Sequence, residues 1–210
     1  MTMTTNFRAP PADVQIYDPA MSAAFGKTKE KYGGLSNMAS GYPLVIEDVA
    51  VLSSEALYQA CRFPDNPEVQ QLILDQHSPM TAKMVSKPHR DETREYWEEI
   101  QVEIMAWCLR VKLLHNWEKF GGVLAETGAK QIVEKSRRDR FWGAVPSPED
   151  GMLHGVNMLG KLLMDLRQQV RRGEFRRTTA LPAPNIPDFR LLGRPIGPVT
   201  QRDAVGQQRL

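Results

Sequence analysis

The chain has 210 residues, 41% of them apolar, with 27 Lys and Arg against 25 Asp and Glu. That length holds one good core and is too short for two ordinary domains. The formal net charge of +2 neither demands nor excludes a nucleic-acid partner, because steering depends on where charge sits rather than on its sum. With no run of eighteen apolar residues and no signal-peptide pattern in MTMTTNFRAPPADVQ, a soluble, cytoplasmic protein without a membrane partner is expected.

Residues 1–30 contain Pro10, Pro11 and Pro19 without sustained periodicity and read as an arm that packs only partly. The folded body is expected over 31–173. PLVI and DVAVL around Glu47 predict a short hairpin. Ser53 or Ser54 can cap the next helix, and Asn66-Pro67-Glu68 opens another that holds Val69, Leu72 and Ile73. Trp97, Ile100, Ile104, Trp107, Val111 and Leu114 recur at spacings of three and four, which places them on one face of a long central helix. Cys61 and Cys108 fall inside apolar helical patterns, so two reduced, buried thiols are expected rather than a disulfide or metal site. Asn116 can cap a helix through Phe120 and Leu124 that ends near Gly128, QIVEKS reads as a strand, and Leu159, Leu163, Leu166 and Val170 mark a last helix closed by Gly173. Residues 174–210, rich in proline and arginine, predict an extended basic tail.

Glu55 falls in a helical first turn, where unpaired amides favour a negative charge; glutamate is also simply common there. Asp139 precedes Phe141-Trp142-Gly143, so it can act beside a desolvating indole or merely cap a turn, and Gly143 permits an unusual backbone angle. Trp97 can line a pocket or belong to the core. Lys83 can act as a compact charge, act as an amine nucleophile, or stand solvated. Ser36-Asn37 after Gly33-Gly34 can offer polar groups to phosphate or ribose, or form an ordinary turn. Asn157 can cap the last helix and touch a ligand. His154 has no metal-ligand spacing to the other histidines, so no metal and no cofactor are expected.

Taken in order, LSN at 35–37, SEALYQA, SPMTAK, the helical Trp97, RDRFWG and NMLGKLLMDLR resemble the NADAR family, named for links to NAD and ADP-ribose, over residues 32 to 172. The resemblance implies a mainly helical α+β fold: a single NADAR domain with a short β-hairpin or small sheet and a ligand pocket between helices. It also implies an N-glycosidase with Glu55 as carboxylate base or cation stabiliser, Asp139 as its proton-transfer partner and Lys83 at the phosphates or ribose. Trp97, Phe141, Trp142 and Gly143 would then wall the pocket, and Ser36, Asn37, Tyr58, Gln59 and Asn157 would line it. MVSKPHR stands where the family has a short Gly-Arg after the lysine, leaving Lys87 or Arg90 as its substitute. The wording of YGGLSNMASGYPL and SPMTAKMVSKPHR is similar to that of NADAR antitoxins accompanying DNA ADP-ribosyltransferase toxins. The implied substrate is ADP-ribose on the exocyclic amine of guanine in single-stranded DNA, or ADP-ribose itself, with such a toxin as partner and Arg171, Arg172, Arg176 and Arg177 at the backbone. Riboflavin-pathway intermediates with a phosphoribosylamino group, and a non-catalytic ADP-ribose reader, are the alternatives.

Overall fold

The computed structural model describes residues 13–201 and 203. Strands β1 (Gln15–Tyr17) and β2 (Ala23–Phe25) carry Tyr17, Ala23 and Phe25 into the interior, so the part of the expected arm that is described belongs to the packed body. Three-residue strands leave too short a pattern to be read as periodic. Residues 1–12 lie outside the described residues.

Strands β3 (Leu44–Ile46) and β4 (Val49–Val51) form the expected hairpin, with Leu44 opposite Val51 and Ile46 opposite Val49. Glu47 and Asp48 close it at φ 47° and 66°. A two-residue turn that follows the strands' twist needs two such left-handed residues, supplied here without glycine or asparagine.

Helix α1 (Ser54–Ala60) begins at Ser53, whose Oγ accepts from Ala56 N at 3.2 Å. Helix α2 (Pro67–Leu74) begins at Asn66, which accepts from Val69 N at 3.1 Å. The same chemistry starts α3 (Pro79–Ser86), which the apolar periodicity does not reveal: Ser78 Oγ accepts from Thr81 N at 3.1 Å and Pro79 fills the first turn. Helix α4 (Trp97–His115) buries Trp97, Ile104, Trp107, Val111 and Leu114, with Ile100 at the margin, and packs against α1 and β3. Cys61 and Cys108 are free and buried.

Helix α5 (Trp117–Glu126) starts without the expected cap, because Asn116 Nδ2 instead donates to Pro43 O and Lys112 O, each at 3.1 Å. Strand β5 (Ile132–Glu134) runs parallel to β2. Strands β6 (Val145–Pro146) and β7 (Leu153–Gly155) complete a small antiparallel sheet in the order β1-β7-β6. Helix α6 (Met158–Arg171) contacts β5, α4 and α5, and Gly173 at φ 70° ends it. The architecture is therefore a single, mainly helical α+β domain.

The segment from 174 differs most from expectation. Phe175, Leu181, Ile186, Phe189, Leu191, Ile196 and Val199 are buried, and β8 (Arg190–Leu191) pairs with β9 (Arg194–Pro195). Trp107 Nε1 donates to Pro182 O at 3.0 Å and its ring meets Phe189 edge-on at 5.1 Å. Buried Gln70 holds both sides of β8, donating to Arg190 O at 3.0 Å and accepting from Leu192 N at 2.6 Å. Prolines keep this stretch extended, and its apolar residues, spaced too irregularly to register as an element, plug the helices from outside. Removing residues 175 onward strips seven large apolar side chains from the core, each contributing about 1.5–3 kcal/mol by burial, a sum comparable with a whole domain's stability. The truncated chain is expected to lose its cooperative thermal transition by circular dichroism; an unaltered melt would show that the segment only rests on the surface.

Candidate active site

Glu55 in the first turn of α1 is only 4% exposed. Its Oε2 accepts from Asn37 Nδ2 at 2.6 Å and its Oε1 from Gln59 Nε2 at 2.9 Å. Gln59, one turn along α1, is itself oriented by Ser86, whose hydroxyl donates to its Oε1 at 2.9 Å. Lys83, on the same helix as Ser86 and with about half its side chain exposed, brings Nζ to 3.8 Å from Glu55 Oε1. Asn37, Glu55, Gln59 and Lys83, expected together from the sequence, thus converge. Asn37 Oδ1 is buried without a hydrogen-bond partner.

The loop carrying Ser36 and Asn37 follows a 3-10 turn at Gly33–Leu35 and is fixed from below by a residue the sequence reading did not single out. Lys112 of α4 is fully buried, and its Nζ donates to Gly34 O and Ser36 O, each at 2.8 Å. The Tyr42 and Phe120 rings flank the ammonium, each with its centroid 4.5 Å away. Burial brings Lys112 down to about 7, against the attraction of Glu134 and with a smaller push from Lys119. Gly34 is required by close approach, since a Cβ there would lie 2.2 Å from Tyr42 Oη.

Glu134 ends β5 and is the second missed residue. Burial pushes its carboxyl up to about 7, and the charges of Glu55 and Asp139 add to the shift, while Lys83 and a Ser36 hydrogen bond oppose it. Glu55, Asp139, Lys83 and Ser36 all act on this carboxyl, which puts it in the neighbourhood of the cluster. Fully buried Asn157 positions it: Oδ1 accepts from Glu134 N at 3.1 Å and Nδ2 donates to Ile132 O at 2.8 Å. Asn157 does not cap α6 with its side chain, which is occupied by the β5 backbone. The first amides of α6 are met by carbonyls of the aromatic loop, Met158 N by Phe141 O at 2.9 Å and Leu159 N by Trp142 O at 3.0 Å. Gly143 serves this packing rather than an unusual backbone angle, because a Cβ there would lie 2.6 Å from Glu134 O.

Asp139 itself is exposed, and its Oδ1 accepts from Phe141 N at 2.9 Å and Trp142 N at 2.8 Å. The geometry gives it turn capping, with its charge felt at Glu134. Tyr58 is the hub of the aromatic wall, 5.2 Å from Trp97 and 5.8 Å from Trp142, and Phe141 meets Trp142 at 5.2 Å. Burial pushes the Tyr58 phenol far up, so it serves as packing surface rather than as an acid. Trp97 is 5% exposed, and the Arg62 guanidinium lies over its ring at 4.3 Å, which leaves that face no room to stack a base.

The basic run is engaged locally: Arg171 donates to Gly128 O at 2.6 Å, Arg172 lies 3.8 Å from Glu174, Arg176 donates to Gly173 O at 2.8 Å and Arg177 pairs with Glu118 at 3.1 Å. It sits at the far end of α6, roughly 20 Å from the aromatic loop at 1.5 Å rise per residue. His154 pairs with Asp150 at 2.8 Å. A cleft of about 330 Å³ lined by Trp117, Leu124, Val170 and Arg171 contains none of the expected catalytic or pocket residues. Both missed residues carried a faint signal, Lys112 as a cation amid the apolar run of α4 and Glu134 as the acid that ends an apolar strand, but each needed tertiary structure to mean anything.

Two carboxylates in one sheltered cluster, one of them titrating near neutrality, define a site suited to general acid-base chemistry. The NADAR domain model matches residues 24–171, and the chain belongs to the NADAR domain family. It is 32% identical over 146 residues to N-glycosidase YbiA of Escherichia coli (strain K12), covering 70% of this chain and 86% of that protein. It is 29% identical over 153 residues to N-glycosidase Npun_R5314 of Nostoc punctiforme, covering 72% and 94%. The riboflavin biosynthesis protein VVA0006 of Vibrio vulnificus is 32% identical over 149 residues, but the match covers only 38% of that protein and 70% of this chain. The NMR structure of E. coli YbiA superposes with a TM-score of 0.61 at 27% identity, covering 76% of this chain and 92% of that one.

The Lys112 clamp has a pH signature. Between its folded value near 7 and the ordinary lysine range, the unfolded chain binds a proton that the folded chain does not, so its contribution to stability rises with pH across that window. The stability advantage of the wild type over Lys112→Met, measured by urea unfolding at pH 7 and pH 9.5, is therefore expected to widen by about 1–3 kcal/mol. A constant difference would mean that burial does not perturb this ammonium.

Proposed function

We propose that the chain is an N-glycosidase that cleaves the bond between ribose C1′ and an exocyclic nitrogen, with Glu55 and Glu134 as its working carboxylates. The observation that carries this reading is the pairing itself: Glu134, raised to about 7 by burial and by the charges of Glu55 and Asp139, is available as a proton donor near neutrality. The names of the E. coli and Nostoc relatives support the reaction class. As the C1′–N bond breaks, its electron pair leaves with the nitrogen, which takes the proton of Glu134. Glu55 faces the cationic ribosyl centre, and a water adds at C1′ while giving its proton to the Glu134 carboxylate, restoring the acid. Lys83 stays near Glu55 as a charge for the ribose or phosphates, and Asp139 contributes through its field at Glu134 while holding the aromatic loop.

For the finer substrate we propose ADP-ribose attached to the guanine amino group in DNA, with the protein acting as antitoxin to a DNA ADP-ribosyltransferase; the wording of YGGLSNMASGYPL and SPMTAKMVSKPHR supports this. A second reading, hydrolysis of a phosphoribosylamino intermediate of riboflavin synthesis, is favoured by the Vibrio relative's name. Mass spectrometry of ribosyl release from an ADP-ribosylated guanine oligonucleotide and from a phosphoribosylamino pyrimidine separates the two. Glu55→Gln and Glu134→Gln are each expected to lower release roughly 10²- to 10⁴-fold. Release that survives both substitutions would remove the carboxylate pair from the mechanism.

The pH dependence follows from the sign of the Glu134 shift. Because the protonated form is the donor, single-turnover rates are expected to fall as pH rises through about 7. Asp139→Asn removes a charge that raises Glu134 and moves this limb to lower pH, whereas Lys83→Met removes one that lowers it and moves the limb higher. Limbs that coincide in all three proteins would mean that another group donates the proton.

A further inference from the structure

Arg62 lies just past the end of α1, with its Cζ 4.3 Å from the centroid of the Trp97 ring. Its Nε is buried and has no hydrogen-bond partner. The 3-10 segment Lys87–Glu92 packs against this end of α1, bringing the His89 ring to 6.5 Å from the Phe63 ring. From that segment Arg90 acts on Arg62 as a like charge. Burial and Arg90 pull the Arg62 guanidinium down, while Tyr58, Glu98 and Glu55 pull it up. Neither Arg62 nor Arg90 has a carboxylate at ion-pair distance among the described residues, whereas neighbouring His89 is paired with Glu92 at 2.7 Å.

Two guanidinium groups that repel each other, one of them partly desolvated on an indole face with a buried donor unsatisfied, cost stability unless an anion meets them. The planar guanidinium presents donors in a fork that matches phosphate oxygens, and contact with the Trp97 ring restrains where that fork lies. Seven positions of the chain separate Glu55 from Arg62, roughly 10 Å along a helix axis, and Tyr58 between them in the chain sets its ring 5.2 Å from that of Trp97. A ribose with its reacting carbon at Glu55 would carry a 5′ phosphate or diphosphate over about that distance, toward the Arg62 end of α1.

We propose that Arg62 and Arg90 form the subsite for the phosphate carried on the substrate's ribose, an inference that rests on the N-glycosidase reading for its geometry. Arg62 supplies a guanidinium held at the end of α1 against Trp97, and Arg90 adds a second one from the 3-10 segment. Trp97 serves the phosphate by holding Arg62, not by stacking a base.

The test needs no turnover, so failure of the reaction reading does not affect it. Isothermal titration of the full chain with inorganic pyrophosphate and with ribose 5-phosphate is expected to show binding that weakens with salt. Affinity should fall at least tenfold in Arg62→Gln and in Arg90→Gln, fall less in Arg62→Lys, and stay unchanged in Arg172→Gln. Should Arg62→Gln fail to give a cooperative melt, Arg90→Gln, altered at an exposed side chain, carries the test. The proposal is overturned if the wild type binds neither probe, or if both glutamine variants bind as tightly as the wild type. It is also overturned if an unmodified single-stranded oligonucleotide depends on Arg62 as strongly as these probes do, for then the subsite serves a nucleic-acid backbone.

Discussion

The structure depends on keeping the Glu55 carboxylate buried without leaving it unmet. A buried carboxylate deprived of its partners is strongly destabilising, so each group that reaches it constrains the fold around it. Asn37 comes from a loop some eighteen residues earlier in the chain, Gln59 from the next turn of α1, and Ser86 fixes Gln59 from α3. The loop bearing Asn37 has little regular structure of its own, and its carbonyls are tied to α4 by Lys112. A buried cation thus sets the position of the residue that holds a buried anion, linking α1, α3, α4 and the Gly33–Asn37 loop around one small volume.

Glu134 introduces the tension that makes the volume chemically useful. Strand β5 delivers a second carboxyl into a region already occupied by Glu55, with Asp139 nearby, and the resulting repulsion adds to desolvation in favouring its protonated form. The backbone that delivers it is fixed by Asn157 on one side and by close approach of Gly143 on the other, so the repulsion is not relieved by β5 moving away. The aromatic loop works at both ends of this arrangement: its amides bind Asp139, its carbonyls cap α6, and its rings join Tyr58 in the wall.

Local signals in the sequence were dependable where the chemistry was local. Ser53 and Asn66 cap as their neighbours predict, and the six-residue stripe of α4 is interior or marginal throughout. Resemblance to the family placed Glu55, Asn37, Gln59 and Lys83 together, which spacing alone does not. Residues whose meaning depends on distant partners were misread. Asn116 and Asn157 both sit where a cap is expected, yet their amides bond backbone from other parts of the chain. Asp139 caps its own turn, one of the two readings its setting allowed, and its charge acts at Glu134, which had been legible only as the end of a strand. The proline-rich segment after residue 174 looked extended and is extended, but composition could not show that its scattered apolar residues are buried, with Gln70 of α2 and Trp107 of α4 holding its backbone.

The most direct test of this account is a carbon-13 NMR titration of the Glu134 side-chain carboxyl, assigned by comparison with Glu134→Gln and repeated in Glu55→Gln. The account predicts a midpoint near 7 in the wild type and a lower one once the Glu55 charge is gone. A midpoint in the ordinary glutamate range, or one indifferent to Glu55, would contradict the carboxylate pair on which the functional reading stands.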